Sequence, residues 1–465
     1  MSWDDACSVA PVTVSSTSRS PNLQVSFTSG SPEQWVNDTS ASYGARRLFP
    51  HLKESHNVNI LKRRHKLMVG AIALTLVAAA CGGDDSGDNN DTTTTAAAEV
   101  TTTAGEAATT TAATGETTEA PATTEGGSAT SAPDMGGEVD YEALSGTLDG
   151  SGATFPKVYY DEAIAEFASV APDVTVNYAG GGSGKGRTDL QEQVVDFAGT
   201  DGVVKAEDVP KYKGGEFVYV PTVIAPITVS YNLEGVDELH LTAPTIAKIF
   251  QAQITSWDDP AIVAENEGVE LPAEPITVVH RADGSGTTEN FSKFLEAAVG
   301  PEGTAEAGVW TLGTGSELEW PASTLGGDGN SGVAQLISQT AGSIGYVDLS
   351  DATENGLVYA SVQNKAGEFV QPTPEAASAA AAGAKINDDL TFFVGWADGA
   401  EAYPIAAQTW IIAYVDTPAD QAEVLRGFLT YLVTDAQELT GELGYAPLPA
   451  DLQAKALANI AKIGA

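Results

Sequence analysis

LSGTLDGSGATFP, residues 144–156, decides how the rest of the chain is read. Residues 144–148 read as a strand, Asp149-Gly150-Ser151-Gly152 as its end, and Pro156 falls where a helix can begin. Proline is tolerated there because the first helical turn has no use for its missing N–H. Tyr160, Ile164 and Phe167 follow at spacings of four and three, which puts them on one helical face. Residues 173–178 (DVTVNY) alternate apolar and polar and predict a second strand. Strand, small-residue turn, helix and strand again is the repeating logic of an α/β fold.

Toward the C-terminus the same grammar continues. A glycine turn at 180–184 leads to a helix expected over 187–195, and residues 195–198 form a short strand. Residues 217–231 (FVYVPTVIAPITVSY) are extended and apolar, yet long for one strand and interrupted by Pro221 and Pro226. They are expected to cross between two domains, with residues 405–414 as the return crossing. Between the two crossings lie a strand at 276–280, a helix at 286–298 and a strand at 342–347, and residues 421–434 and 449–463 are helical. No fixed repeat period is present.

Toward the N-terminus, the cationic patch KRRHK at 62–66 precedes fourteen apolar-leaning residues, 67–80, and then Cys81. A bilayer needs about 20 such residues, so the pattern is that of an export signal. Ala78-Ala79-Ala80-Cys81 resembles a bacterial lipobox, in which the cysteine thiol is acylated and becomes the new N-terminus; Ala78 stands where Leu or Val is commoner. Residues 1–80 are therefore an N-terminal extension with a lipoprotein signal, and translation is expected to start near Val58 to Leu61. Residues 81–140, rich in Thr, Ala and Glu, have too little apolar surface to offset ordering entropy. They predict a disordered tether with a reach of about 45 Å.

The chain has 465 residues, with 63 acidic against 22 basic side chains and a net charge of −41. That balance disfavours nucleic acid or an anionic membrane surface as partner. It leaves a small anion open, because a buried site answers to local dipoles. Two cysteines, Cys7 and Cys81, exclude a cysteine metal cluster, and only His240 and His280 lie beyond residue 81.

Four turns carry the candidate chemistry: Gly152-Ala153-Thr154-Phe155-Pro156, residues 180–186 (GGGSGKG), Gly199-Thr200-Asp201-Gly202, and residues 280–288 (HRADGSGTT). Each reads as a strand end, a tight turn and a helix start. The first N–H groups of a helix lack intrahelical partners, and the macrodipole there favours anions. Arg281 can add paired charge-assisted hydrogen bonds, with Asp283 holding its guanidinium. Taken singly, each turn is just a turn; Lys185 and Arg187 read as solvated, and His280 as structural. A P-loop fails because Gly186 follows Gly184-Lys185 and Ala179 stands where its first glycine belongs. Neither Ser183 nor Ser285 sits in a nucleophile elbow, and nothing recommends either histidine for a triad.

Together, residues 152–156, 196–201 and 281–287 resemble the signature turns of phosphate-specific ABC-transporter binding proteins, the periplasmic phosphate-binding protein family in lipoprotein form. Residues 250–260 (FQAQITSWDDP) and 342–347 (GSIGYV) extend the similarity, which covers residues 144–460 in family order. The resemblance implies a type II periplasmic-binding-protein fold, two α/β lobes joined by two crossing strands. The lobes are expected at 141–223 with 408–465, and at 224–407. It implies a monomeric binding protein, not an enzyme and without cofactor or metal. Exported and anchored to the outer face of the membrane through Cys81, it would pass inorganic phosphate to permease subunits. Carried over by position, Thr154 and Phe155 give hydroxyl and backbone donors and Ser183 a further donor. Arg281 is the cationic contact, Ser285, Gly286 and Thr287 are donors from a helix start, Asp201 is the acceptor, and Asp283 orients Arg281. Two other readings stay open: a binding protein for another tetrahedral oxyanion, which would not need Asp201, and a surface lipoprotein of this fold without transport.

Overall fold

The computed structural model describes residues 139–465. The expected start, the signal, Cys81 and the tether through residue 138 lie outside them. The chain opens with β1 (Gly146–Gly152), α1 (Lys157–Val170), β2 (Val174–Ala179), α2 (Gly182–Gln191), β3 (Phe197–Thr200) and the sixteen-residue β4 (Phe217–Asn232). Then come β5 (His240–Leu241), α3 (Ala243–Phe250), α4 (Pro260–Glu265), β6 (Thr277–Arg281), α5 (Gly286–Val299), β7 (Leu325–Gly327) and α6 (Gly329–Gln339). β8 (Ser343–Asp348), α7 (Leu349–Glu354), β9 (Val358–Tyr359), β10 (Ser361–Gln363), β11 (Phe369–Val370) and α8 (Pro374–Ala381) follow. Last are β12 (Ala406–Tyr414), α9 (Ala419–Val433) and α10 (Ala450–Ile460).

One mixed sheet runs β2-β1-β3-β12-β4-β8-β6-β7, with β9 beside β4; β11-β10-β5 form a small second sheet. β1 is parallel to β2 and β3, and β6 is parallel to β7 and β8. Parallel pairs need crossover helices, which cover the sheet faces. β3, β8 and β12 are accordingly buried along their whole lengths.

The crossing expected over residues 217–231 is visible in the pairing of β4. Through Pro226 it pairs antiparallel with β12; from Ile227 onward it pairs with β8. Neither proline breaks it. Pro221 lies beside a register shift opposite Gln408 and Trp410, where the ladder is already irregular, and Pro226 lies where the partner strand changes. At that switch Ile227 N–H donates to Ile405 O at 2.9 Å, tying the two crossing strands together. The result is the expected α/β fold, two halves on one curled sheet. Leu148, Phe167, Phe197 and Phe428 pack the β1–β3 half, whereas Phe250, Phe291 and Tyr346 stack in the β6–β8 half.

Three local expectations need correction. β1 starts at Gly146 and runs through Gly152, so the Gly-Ser run is strand rather than turn. α2 spans Gly182–Gln191 instead of 187–195. Gly181 at φ 126° and Gly182 at φ 85° let the chain reverse sharply into it. A Cβ on Gly186 would lie 2.6 Å from Gly152 Cα, so small residues allow α2 to lie against β1. Third, no α-helix opens after Gly199-Thr200-Asp201-Gly202; a 3₁₀ turn at Val209–Lys211 is all that follows before β4. Thr200 holds that turn itself, donating from Oγ1 to Gly202 O at 2.8 Å.

Candidate anion-binding site

Asp201 follows β3 and is almost wholly buried, at 1% exposure. Its Oδ1 accepts from Thr409 Oγ1 at 2.7 Å on β12, and its Oδ2 accepts from Ser183 Oγ at 3.3 Å on α2. Ser183 Oγ in turn accepts the Asp201 N–H at 3.1 Å. The carboxylate stands against the N-terminus of α5: a Cβ on Gly286 would come within 2.6 Å of Asp201 Oδ2. Burial pushes the Asp201 carboxyl up to about 7, although Thr409, Arg281, Ser183 and Arg187 all pull the other way. The backbone carbonyl of Asp201 is held from the opposite half by Asn290 Nδ2 at 2.7 Å.

Arg281 ends β6, with its side chain 1% exposed. Its Nε and NH2 reach the two carboxylate oxygens of Asp283 at 2.7 and 2.5 Å, a paired fork. Asp283 thus sits where it can hold the guanidinium. That fork is the face the sequence reading offered to an oxyanion; NH1 instead donates to Thr287 Oγ1 and to Asn330 Oδ1. Burial raises the Asp283 carboxyl, but the hydrogen bonds and charge of Arg281, with the Gly329 N–H, leave it below the ordinary carboxylate value.

α5 starts with Ser285 as its cap, the Oγ accepting from Thr288 N–H at 3.0 Å. The Ser285 N–H is taken by Ser316 O at 2.9 Å, so only its hydroxyl proton is left to offer. Among the described residues the N–H groups of Gly286 and Thr287 meet no protein acceptor, as first-turn groups do not. The Phe155 N–H at the start of α1 is likewise uncommitted among the described residues, and Thr154 Oγ1 sits 3.2 Å from Asn330 N.

The structure therefore gathers Thr154, Ser183, Asp201, Arg281, Asp283, Ser285, Gly286 and Thr287 at one junction, with Phe155 beside Thr154. The junction lies between the two halves of the sheet, and Gly184 N–H closes it against Gly284 O at 2.7 Å. Arg187 is not solvated as expected. It lies within α2 and donates to Thr200 Oγ1 at 3.0 Å, with Glu289 Oε2 3.7 Å away on α5. Lys185 is half-exposed and bonded to Asp189. The sequence reading missed Asn330, Thr409, Asn290 and Gln408. Only Asn330 carried a usable signal, since Gly327-Asp328-Gly329-Asn330 is another strand-to-helix turn of small polar residues.

Helix starts, hydroxyls and one guanidinium around a buried acceptor make a site for a small oxyanion. Residues 137–436 match the PBP superfamily domain, which makes the chain a member of that superfamily. It is 35% identical to the phosphate-binding protein PstS of Xylella fastidiosa over 66% of this chain and 82% of that one. To PstS of Haemophilus influenzae it is 35% identical over 67% and 91% of the respective chains, and to PstS of Methanocaldococcus jannaschii 32% over 68% and 83%. The chain belongs to the phosphate-binding protein PstS family. Its fold is also that of the high affinity periplasmic phosphate-binding protein PfluDING, solved with phosphate bound (TM-score 0.55, 23% identity, 67% of this chain and 93% of that one). The phosphate binding protein of Stenotrophomonas maltophilia shares it too (TM-score 0.52, 22% identity, 68% and 94%).

Proposed function

We propose that this protein captures inorganic phosphate outside the cell membrane and delivers it, chemically unchanged, to an ABC-type importer. One observation carries the reading: a single buried carboxylate, Asp201, faces a helix start otherwise furnished with donors. An ionised carboxylate repels a bare dianion, but it can accept a proton from hydrogen phosphate or dihydrogen phosphate. Sulfate at neutral pH has none to give, and would leave two negative oxygens opposed in a dry site. The names of the relatives, phosphate-binding protein PstS, support the same ligand and describe binding rather than catalysis.

In this reading Thr154, Phe155, Ser285, Gly286 and Thr287 donate to the anion, and Ser183 turns its one hydroxyl proton from Asp201 to the anion. Arg281 supplies charge under the hold of Asp283, and Asp201 accepts. Residues 141–223 with 408–465 form one lobe and 224–407 the other, and the lobes close on the ligand as a monomer. A lipid on Cys81, after export, would hold the tethered protein at the membrane.

Equilibrium dialysis of the mature protein with labelled phosphate tests the core of this. Arsenate, which carries protons much as phosphate does, should compete; sulfate should not. Equal competition by sulfate would move the assignment to another oxyanion, and absence of phosphate binding would end it. Mass spectrometry of the same cell-derived protein should find acyl groups on Cys81; an unmodified Cys81 removes the anchor.

A further inference from the structure

Asn330 stands second in α6 and is fully buried, and every polar atom of its side chain is engaged. Its Nδ2 donates to Thr154 Oγ1 at 3.4 Å and to Thr287 Oγ1 at 3.2 Å, while Oδ1 accepts from Arg281 NH1 at 3.3 Å. Its backbone N–H donates to Thr154 Oγ1 at 3.2 Å. The amide orientation is not arbitrary: guanidinium groups only donate, so the Asn330 oxygen must face Arg281 and its NH2 must face the two threonines.

A threonine hydroxyl has one proton and two lone pairs. Thr154 Oγ1 receives both N–H contacts from Asn330; Thr287 Oγ1 receives Asn330 Nδ2 and Arg281 NH1. With both lone pairs occupied, each hydroxyl can only donate. Among the described residues neither gives its proton to a protein acceptor. Thr154 lies at the start of α1 and Thr287 at the start of α5, so the two protons approach from opposite halves of the sheet.

The geometry points to Asn330 as a positioning residue that fixes the Thr154 and Thr287 hydroxyls as obligate donors to the bound oxyanion. The inference rests on the phosphate reading above and deepens it. An unconstrained hydroxyl can turn its lone pair toward a ligand O–H. A hydroxyl with both lone pairs filled cannot, so a ligand proton finds no acceptor on the Asn330 side. It is directed to Asp201. Asn330 thereby sets which oxygen of the anion keeps the proton, and it does so without touching the anion itself.

Titration calorimetry with phosphate on the wild type, Asn330→Leu, Thr287→Val and the double variant tests this. Leucine keeps the branched outline of asparagine and removes every polar atom. Failure of the wild type to bind phosphate would refute the oxyanion reading, separately from the present inference. Given wild-type binding, Asn330→Leu should weaken phosphate by about 10- to 100-fold. Thr287→Val should weaken the wild type by about 10-fold, yet the Asn330→Leu background by less than about 3-fold, because an unlocked hydroxyl has little left to lose. A purely structural role for Asn330 would give losses that multiply in full, and that result overturns the proposal. So does an Asn330→Leu affinity within about twofold of wild type. If Asn330→Leu shows no cooperative thermal transition, Asn330→Ala replaces it in the same cycle and is judged by the same two criteria.

Discussion

The role proposed for Asp201 needs it buried, and burial is what makes its ionised form costly. Its carboxyl is pushed up to about 7, chiefly by desolvation, from an ordinary value of 3.8. A group raised in the folded state binds its proton more tightly there than in the unfolded chain. It therefore contributes stability in full below about pH 4, and that contribution is lost as pH rises through about 7. The difference corresponds to about 4 kcal/mol at most. Without ligand, the wild type should melt at progressively lower temperature from pH 5 to pH 8, and Asp201→Asn should flatten that decline. Asparagine also places an N–H donor where the acceptor stood, so calorimetry at pH 7.5 should find sulfate binding to Asp201→Asn and not to the wild type. Parallel melting profiles with unchanged sulfate exclusion would remove Asp201 from both roles.

Helix α5 is where an element's own preference and the needs of the junction conflict. Alanine in place of Gly286 should favour the isolated helix by up to about 1 kcal/mol. In the folded protein, however, its Cβ would press on Ser183 Oγ and meet Asp201 Cβ and Oδ2 at 2.6 Å, and such overpacking costs about 1–3 kcal/mol. Gly286→Ala should therefore lower the melting temperature and weaken phosphate by about 10-fold; an unchanged melting temperature with unchanged affinity by calorimetry would show that α5 does not pack this tightly against Asp201. The start of α5 was legible in the sequence because Ser285 is a good cap and apolar periodicity follows it. The crossing strand was legible from length and apolarity. The start of α2 was not: Gly182-Ser183-Gly184-Lys185-Gly186 is a poor helix former by propensity. Its glycines suit packing rather than propensity, Gly186 lying against Gly152 on β1 and Gly184 against Gly284, and such tertiary contacts leave no periodic signal in the sequence. Asn330 escaped because β7 is three residues long and gives no periodic signal before the turn. Thr409 was hidden inside a strand buried at every position, where a hydroxyl looks like one more β-branched residue.

At the scale of the whole molecule, a chain with net charge −41 is proposed to bind an anion. The two facts act over different distances. Inside the closed junction, donors act at hydrogen-bond range, where mobile salt does not penetrate. Outside it, the acidic surface repels an approaching phosphate over roughly a Debye length, about 30 Å at 0.01 M salt and about 8 Å at 0.15 M. Salt should therefore speed capture, the reverse of what electrostatic steering toward an opposite charge gives. Stopped-flow fluorescence should show the association rate rising by about 3-fold or more between 0.01 and 0.15 M sodium chloride, with dissociation changing by less than about twofold. An association rate that falls with salt would mean that the mouth of the cleft is locally cationic despite the acidic whole. A dissociation rate that climbs steeply would mean that the anion is held by exposed charge, and the buried arrangement of Asp201, Arg281 and the helix starts would no longer account for binding.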